Sequence, residues 1–103
     1  MVDEFGLNGN YKDDRLYVLI IYDIVNDARR RKLVKCLQGY GFRVQKSAFE
    51  AKIKKKLYRK LIAEMPQYVG PEDSIRVYKL GKDNDIVNFG VLNDVNLEQV
   101  VIA

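Results

Sequence analysis

The alternation of apolar and polar positions divides the chain into segments with the periods of strands and helices. Residues 16–22 are apolar throughout and rich in β-branched and aromatic side chains, which predicts a central strand covered on both faces. Asp23 ends this strand, and Asn26 or Asp27 can cap the helix that follows. That helix is predicted from one apolar stripe with spacings of three and four residues, formed by Leu33, Cys36, Leu37 and Tyr40.

The next two segments alternate between apolar and polar residues. Gly39 and Gly41 break the first helix, and the alternation that follows predicts two half-buried strands joined tightly around Lys46 and Ser47. The apolar members of these strands are Phe42, Val44, Phe49, Ala51 and Ile53.

A second helix and a final strand complete the pattern. The helix is predicted to run from about Lys54 until Pro66 stops it. A turn signal at residues 70–73 precedes a strand at residues 74–80. The apolar face of this second helix consists of Leu57, Tyr58, Leu61, Ile62 and Met65.

The resulting order of elements, β-α-β-β-α-β, predicts an α+β domain of the ferredoxin-like class. In that plan two helices cover one face of an antiparallel sheet and leave the other face open. Because residues 16–22 are apolar on both sides, the open face needs a cover. We therefore predict a homodimer in which two sheets stack face to face.

The polar ends of the chain set the predicted domain organisation. We expect a mobile N-terminal arm at residues 1–14, the ferredoxin-like domain at residues 15–82, and a C-terminal extension at residues 83–103. Within the extension, residues 86–89 and 100–102 are short apolar pieces that can add an edge strand. The partner's sheet is the favoured place for that strand, and their own sheet is the alternative.

The charge distribution favours a polyanionic partner. Although the 103-residue chain carries a net charge of only +4, residues 15–82 hold 17 Lys and Arg against 6 Asp and Glu. A basic centre of this kind is typical of nucleic-acid binding. The alternative is that these cations only keep a small protein in solution.

Missing residue types exclude most enzyme classes. The chain has no histidine, which rules out Ser-His or Cys-His catalysis and His-ligated zinc. The single cysteine, Cys36, cannot form an intrachain disulfide, and we interpret it as a small core residue rather than a reactive thiol. Without a signal peptide or an apolar run long enough for a membrane helix, we expect a soluble, cytoplasmic protein with no membrane partner.

Asp23 is the strongest candidate for chemistry. It follows the most apolar strand and precedes a helix N-terminus, whose unpaired amides favour anions. A cap or a turn would also explain an aspartate here. One carboxylate holds Mg²⁺ or Mn²⁺ poorly, but two-fold symmetry would bring a second Asp23 to the same ion. Asp27 is a further ligand candidate that capping explains more simply.

Arginines surround this position in the sequence. Arg29, Arg30 and Arg31 occupy the first turns of the helix, and Arg43 lies on the next strand. Guanidinium groups match phosphate oxygens in pairs, which suits them to a nucleic-acid backbone. The basic residues of the second helix fit a diffuse electrostatic surface or a solvated face equally well, and they are Lys54, Lys55, Lys56, Arg59 and Lys60.

These residues resemble, as an ordered set, a family of small CRISPR-associated proteins of spacer acquisition. The resemblance covers about residues 16–80 and is carried by residues 22–24, 26–33, 39–45 and 47–49. It implies a ferredoxin-like homodimer that cleaves single-stranded RNA or double-stranded DNA with a metal at Asp23. It also implies a complex with the CRISPR integrase.

The resemblance assigns roles to individual residues. Tyr22, Asp23, Arg30, Arg43 and Phe49 fall on motif positions of that family. Lys32 falls where a second arginine is common, so a paired contact to phosphate is not expected there.

Several functions share these features. We expect a CRISPR adaptation protein that serves as an adaptor and is also an endonuclease. A purely structural DNA-binding adaptor without catalysis would need only the basic centre. A toxin-like messenger ribonuclease of the same fold would use Asp23 without an integrase. A fourth function, a ferredoxin-like module that binds a small regulator, is not supported, because the sequence has no Gly-rich ligand loop.

Overall fold

The apolar strand at the start of the pattern lies at the centre of the fold. The computed structural model describes residues 13–81 and 83–91. Its elements in chain order are β1 (Leu16–Asp23), α1 (Asp27–Leu37), β2 (Phe42–Gln45), β3 (Ala48–Ile53), α2 (Lys55–Glu64), a short 3-10 helix (Met65–Tyr68), β4 (Ser74–Leu80) and β5 (Asp85–Gly90).

The strands form one antiparallel sheet. Its order is β2-β3-β1-β4-β5, with β1 hydrogen-bonded on one side to β3 and on the other to β4. The predicted α+β architecture is confirmed, and the two helices with this strand order agree with the ferredoxin-like plan.

The two faces of β1 have different surroundings. Val18, Ile20 and Tyr22 are buried in a core that includes Leu33 of α1 and Leu61 of α2, so this is the face that the helices cover. The alternate side chains of β1 lie on the opposite, open face. There Tyr17 is 48% exposed, and its neighbours Leu19 and Ile21 are half-buried.

Local polar contacts define both ends of α1. Asn26 caps the helix, with its side chain accepting a hydrogen bond of 2.8 Å from the backbone N–H of Arg29. Asp27, the other predicted cap, is instead the first helical residue. Beyond the C-terminal end, Gly41 passes so close to β3 that a Cβ atom would overlap the carbonyl group of Glu50. Gly41 is therefore required for packing, whereas α1 itself already ends at Leu37.

Cys36 belongs to the packed interior of the molecule. It is half-buried against the core, and its Sγ donates to Oε1 of Glu64 on α2 at 3.4 Å. Burial raises the pKa of the Cys36 thiol, which keeps it protonated and weakly nucleophilic. These contacts agree with its interpretation as a core residue.

The C-terminal extension adds an edge strand to its own sheet, which is the alternative placement. Residues 85–90 form β5 beside β4 of the same chain, with Val77 opposite Val87. Pairing of the extension with a partner's sheet stays a prediction. Gly81, with a φ of 150°, donates its N–H to Oδ1 of Asn84 in the connection between the two strands. A connection this short costs little loop-closure entropy, which favours local pairing.

Two predicted segments, residues 1–12 of the arm and the apolar piece at residues 100–102, lie outside the described residues. Among the residues that are described, no helix is long and apolar enough to cross a bilayer.

Candidate nucleic-acid interface

The end of β1 anchors the turn between β2 and β3. Tyr22 is almost fully buried, its ring lies 6.3 Å from that of Phe49, and its hydroxyl donates to the carbonyl oxygen of Lys46 at 3.0 Å. Its backbone N–H donates to the carbonyl oxygen of Ser47 at 3.0 Å. Because the next residue, Asp23, is exposed, these contacts place an available carboxylate beside a firmly held turn.

A cleft of about 220 Å³ opens at this point. It brings together four of the sequence-predicted residues, and its basic side chains outnumber its single carboxylate by three to one. An anion entering the cleft would meet a positive potential with one acidic group in it. The residues that line it are Tyr22, Asp23, Ile24, Arg30, Arg43, Lys46 and Ser47.

The two cleft arginines already have contacts that orient them. Nη1 of Arg30 donates to the carbonyl oxygen of Ile24 at 2.9 Å, and its Nη2 forms an ion pair with Asp27. Nη2 of Arg43 donates to the hydroxyl of Tyr22 at 3.3 Å. A guanidinium has five N–H donors, so each group retains donors for a phosphate. Because Asp27 is engaged with Arg30, it is a poor second ligand for a metal.

Arg29 has a different environment from its neighbour Arg30. Its Nε donates to Oδ2 of Asp73 at 2.8 Å, and its side chain is 33% exposed. The Asp73 carboxylate is completely buried, and it also accepts the backbone N–H groups of Val25 and Gly70 at 2.8 and 2.7 Å. Arg29 thus joins α1 to the loop before β4, and its phosphate contact stays a prediction.

Burial and hydrogen bonding act in opposite directions on the pKa of Asp73. Burial by itself would raise the pKa of this carboxyl group. The backbone hydrogen bonds from Val25 and Gly70, together with the Arg29 guanidinium, outweigh burial and lower the pKa below its usual value. The sequence had assigned Asp73 only to a turn, since nothing in the order Pro-Glu-Asp-Ser separates a buried acid from the exposed Glu72 beside it.

The other predicted contacts lie around the cleft. Arg31 and Lys32 are exposed on α1, outside the group of residues that lines the cleft. Lys46 and Ser47, which the sequence had assigned only to a strand connection, are part of the lining. Pairing of β2 with β3 brings this connection to the end of β1, a position that local sequence does not encode.

The described residues of one chain do not form a complete metal site. Residues 13–81 and 83–91 contain no cluster of three or more His, Cys, Asp or Glu side chains that could enclose an ion. The cleft offers Asp23 alone as a hard anionic ligand, whereas Mg²⁺ is usually held by one or two carboxylates with waters and phosphate oxygens. A metal at Asp23 requires ligands beyond those that the described residues provide.

The uncovered face of the sheet carries an exposed apolar surface. Leu80 of β4 and Ile86 of β5 lie on the same face of the sheet as Tyr17, and they are 43% and 57% exposed. Phe42 on the edge strand β2 is 62% exposed. Apolar side chains grouped in this way are typical of a surface that another protein covers.

The fold and the cleft define a class of protein: a ferredoxin-like α+β domain with a carboxylate and several cations at the end of its central strand. Residues 16–85 match the family of the CRISPR associated protein Cas2. The chain belongs to this family, which confirms the resemblance seen in the sequence.

Individual relatives agree with this assignment. The chain is similar to the CRISPR-associated endoribonuclease Cas2 of Mycobacterium tuberculosis, with 39% identity over 84% of this chain and 77% of that protein. It is also similar to a CRISPR-associated endonuclease Cas2 of Thermus thermophilus, with 33% identity over 84% of this chain and 97% of the relative. A solved structure of a hypothetical protein from Thermus thermophilus is 30% identical, with a TM-score of 0.61 over 76% of this chain and 96% of the other.

Proposed function

We propose that this protein is a homodimeric adaptor of CRISPR spacer acquisition that binds nucleic acid and the CRISPR integrase, and that it is also a Mg²⁺- or Mn²⁺-dependent endonuclease. The observation that carries the proposal is the cleft at the end of β1, where Asp23 lies beside Arg30, Arg43 and Lys46. The names of the relatives, endoribonuclease and endonuclease, support phosphodiester cleavage. We expect RNA or double-stranded DNA as the substrate.

The open face of the sheet supports the dimer. Leu19 and Ile21 are only half-buried there, and they lie in the same row of β1 as Asp23. If the two sheets stack about a two-fold axis near β1, each Asp23 approaches the other. The dimer would then supply a second carboxylate, which the described residues of one chain do not place in the cleft.

The proposed chemistry divides between the ion and the protein. A bound Mg²⁺ or Mn²⁺ supplies charge neutralisation at a phosphate and makes water a better nucleophile. The two Asp23 carboxylates would hold it, while Arg30, Arg43 and Lys46 bind neighbouring phosphate oxygens and orient the strand. Tyr22 positions Arg43 and the β2–β3 turn through its hydroxyl group.

Substitution of Asp23 tests the catalytic part. Loss of groups that only support a metal ligand costs about 10- to 100-fold, so Asp23→Ala should lower cleavage of RNA or duplex DNA by at least about 100-fold. Glu72→Ala is the matched control, because it removes an exposed carboxylate outside the cleft. Sedimentation should show intact dimers in both variants. Undiminished cleavage by Asp23→Ala would contradict the proposed metal site.

An adaptor without catalysis is the second candidate, and the single acidic side chain in the cleft favours it. Spacer acquisition in cells separates the two. A pure adaptor carrying Asp23→Ala should still support acquisition and still co-purify with the CRISPR integrase. Loss of acquisition by a variant that keeps both dimerisation and integrase binding would show that the carboxylate itself is needed.

A further inference from the structure

A second groove runs away from the Asp23 cleft along α1. Its volume is about 420 Å³, and it shares Arg30 and Arg43 with the cleft as a common wall. Four of its six lining residues are cations, and none is acidic. The groove lies between α1 and the edge strand β2, and its lining consists of Arg30, Arg31, Val34, Lys35, Gln38 and Arg43.

The spacing of these residues gives the groove a direction. Arg31, Lys35 and Gln38 follow each other at i, i+4 and i+7, so they form one row on the helix surface. At about 1.5 Å per residue the row is roughly 10 Å long. A row of this length spans only a few nucleotides of one strand.

The charges are concentrated in a way that an ordinary solvated helix does not require. Arg31, Lys35 and Arg43 face one concave space together with Arg30, which is paired with Asp27. The groove therefore keeps an excess of positive charge that an anion would offset. Lys56 of α2, by contrast, is an exposed cation outside the two clefts. Charge complementarity therefore favours a polyanion in the α1–β2 groove over one spread across α2.

We propose that the α1–β2 groove is the track for the nucleic-acid strand beyond the Asp23 cleft, with Lys35 and Gln38 contacting successive phosphates. This inference rests on the proposed function for the point where the strand begins, at Asp23. It adds two residues to the predicted set and gives the bound strand a path of a few nucleotides along α1.

The test measures binding without cleavage. Labelled single-stranded RNAs of about 4 and about 12 nucleotides are titrated in EDTA at salt concentrations from about 50 to about 200 mM. The slope of log K against log salt is negative, and each phosphate contact to a single strand adds about 0.7 to its magnitude. With the longer RNA, Lys35→Ala should lower this magnitude by about 0.7, and Gln38→Lys should raise it by about 0.7.

Two controls separate the groove from net charge. Lys56→Ala removes one cation outside the groove and should leave the slope for the longer RNA unchanged. The shorter RNA can occupy only part of the cleft and the groove together, so it should bind more weakly than the longer one. Equal effects of Lys35→Ala and Lys56→Ala would overturn the proposal, as would a longer RNA that binds no more tightly than the shorter one.

The Asp23→Ala background keeps the two proposals distinguishable. If Asp23→Ala cleaves normally while the slopes change as stated, the metal site fails and the groove stands. If Asp23→Ala is inactive but the groove variants leave the slopes unaltered, the groove fails and the metal site stands. Circular dichroism of each variant verifies that α1 remains folded, and Gln38→Lys adds a cation at a helix C-terminus, where it is favourable.

Discussion

The buried carboxylate of Asp73 allows a quantitative test of how the site is held together. Asp73→Asn keeps the shape of the side chain but removes its charge, and an amide cannot accept all three hydrogen bonds from Val25, Gly70 and Arg29. Removing one member of a buried ion pair costs about 3 to 5 kcal/mol. Because the Arg29 side chain is 33% exposed, we expect the lower end, about 3 kcal/mol.

The assay is thermal unfolding at one fixed protein concentration. For a domain of this size about 1 kcal/mol corresponds to 4 to 8 °C, so the midpoint should fall by roughly 12 to 24 °C. Asp27→Asn is the matched control, since it removes the same charge from an exposed pair with the neighbouring Arg30. Exposed pairs contribute about 0 to 1 kcal/mol, so this variant should unfold close to the wild type.

The pH dependence provides an independent check. Because the folded-state pKa of Asp73 lies below its usual value of 3.8, its stabilisation is fully present above that value. It is lost as the pH falls through the folded-state pKa. The difference between the wild type and Asp73→Asn should therefore be constant near neutral pH and shrink in acid. An equally stable variant, or a difference that persists unchanged in acid, would refute the reasoning.

Three further substitutions examine neighbouring contacts. Gly70→Ala places a Cβ atom 2.5 Å from Nη2 of Arg29, so it should destabilise the fold by about 1 to 3 kcal/mol in urea unfolding. Gly39→Ala, whose nearest contact would be at 3.3 Å, should destabilise it less. Tyr22→Phe removes a hydroxyl that hydrogen-bonds both Lys46 and Arg43, so it should lower the free energy of unfolding by about 1 kcal/mol and weaken RNA binding in an anisotropy titration. Tyr17→Phe, on the open face, should leave RNA binding unchanged. Ile21→Lys introduces a charge on the open face and should yield monomers in sedimentation. Val44→Lys on the edge strand should remain dimeric. A dimeric Ile21→Lys would contradict the face-to-face arrangement.

The elements could be predicted from the sequence because their signals are local. The apolar run of β1, the stripe of α1 with Asn26 before it, and the alternation of β2 and β3 each depend on residues a few positions apart. The predicted half-burial of β2 differs from the structure, where all four residues of this edge strand are exposed. Asp23 was identified for the same reason, as the first polar residue after the most apolar strand. The family resemblance also rests on short motifs, and the match over residues 16–85 confirms it.

Contacts between distant segments could not be read in this way. Arg29, Arg30 and Arg31 are equivalent in the sequence, but the helix turns them about 100° apart, so one reaches Asp73, one enters the Asp23 cleft and one borders only the groove. Which arginine does which depends on where β4 and β2 lie. The buried role of Asp73, 44 residues from Arg29, follows from the same packing.

The sequence by itself determined the order of elements, the two-sided apolar strand and the carboxylate at its end, since hydrophobic period and chain breaks are encoded residue by residue. Only the tertiary structure decided that Gly41 must lack a side chain, that β5 pairs with β4, and that Lys46 joins Arg30 and Arg43 beside Asp23. These depend on the register between strands and on the rotation of α1 above them. Both are set by packing of the whole core rather than by any one segment.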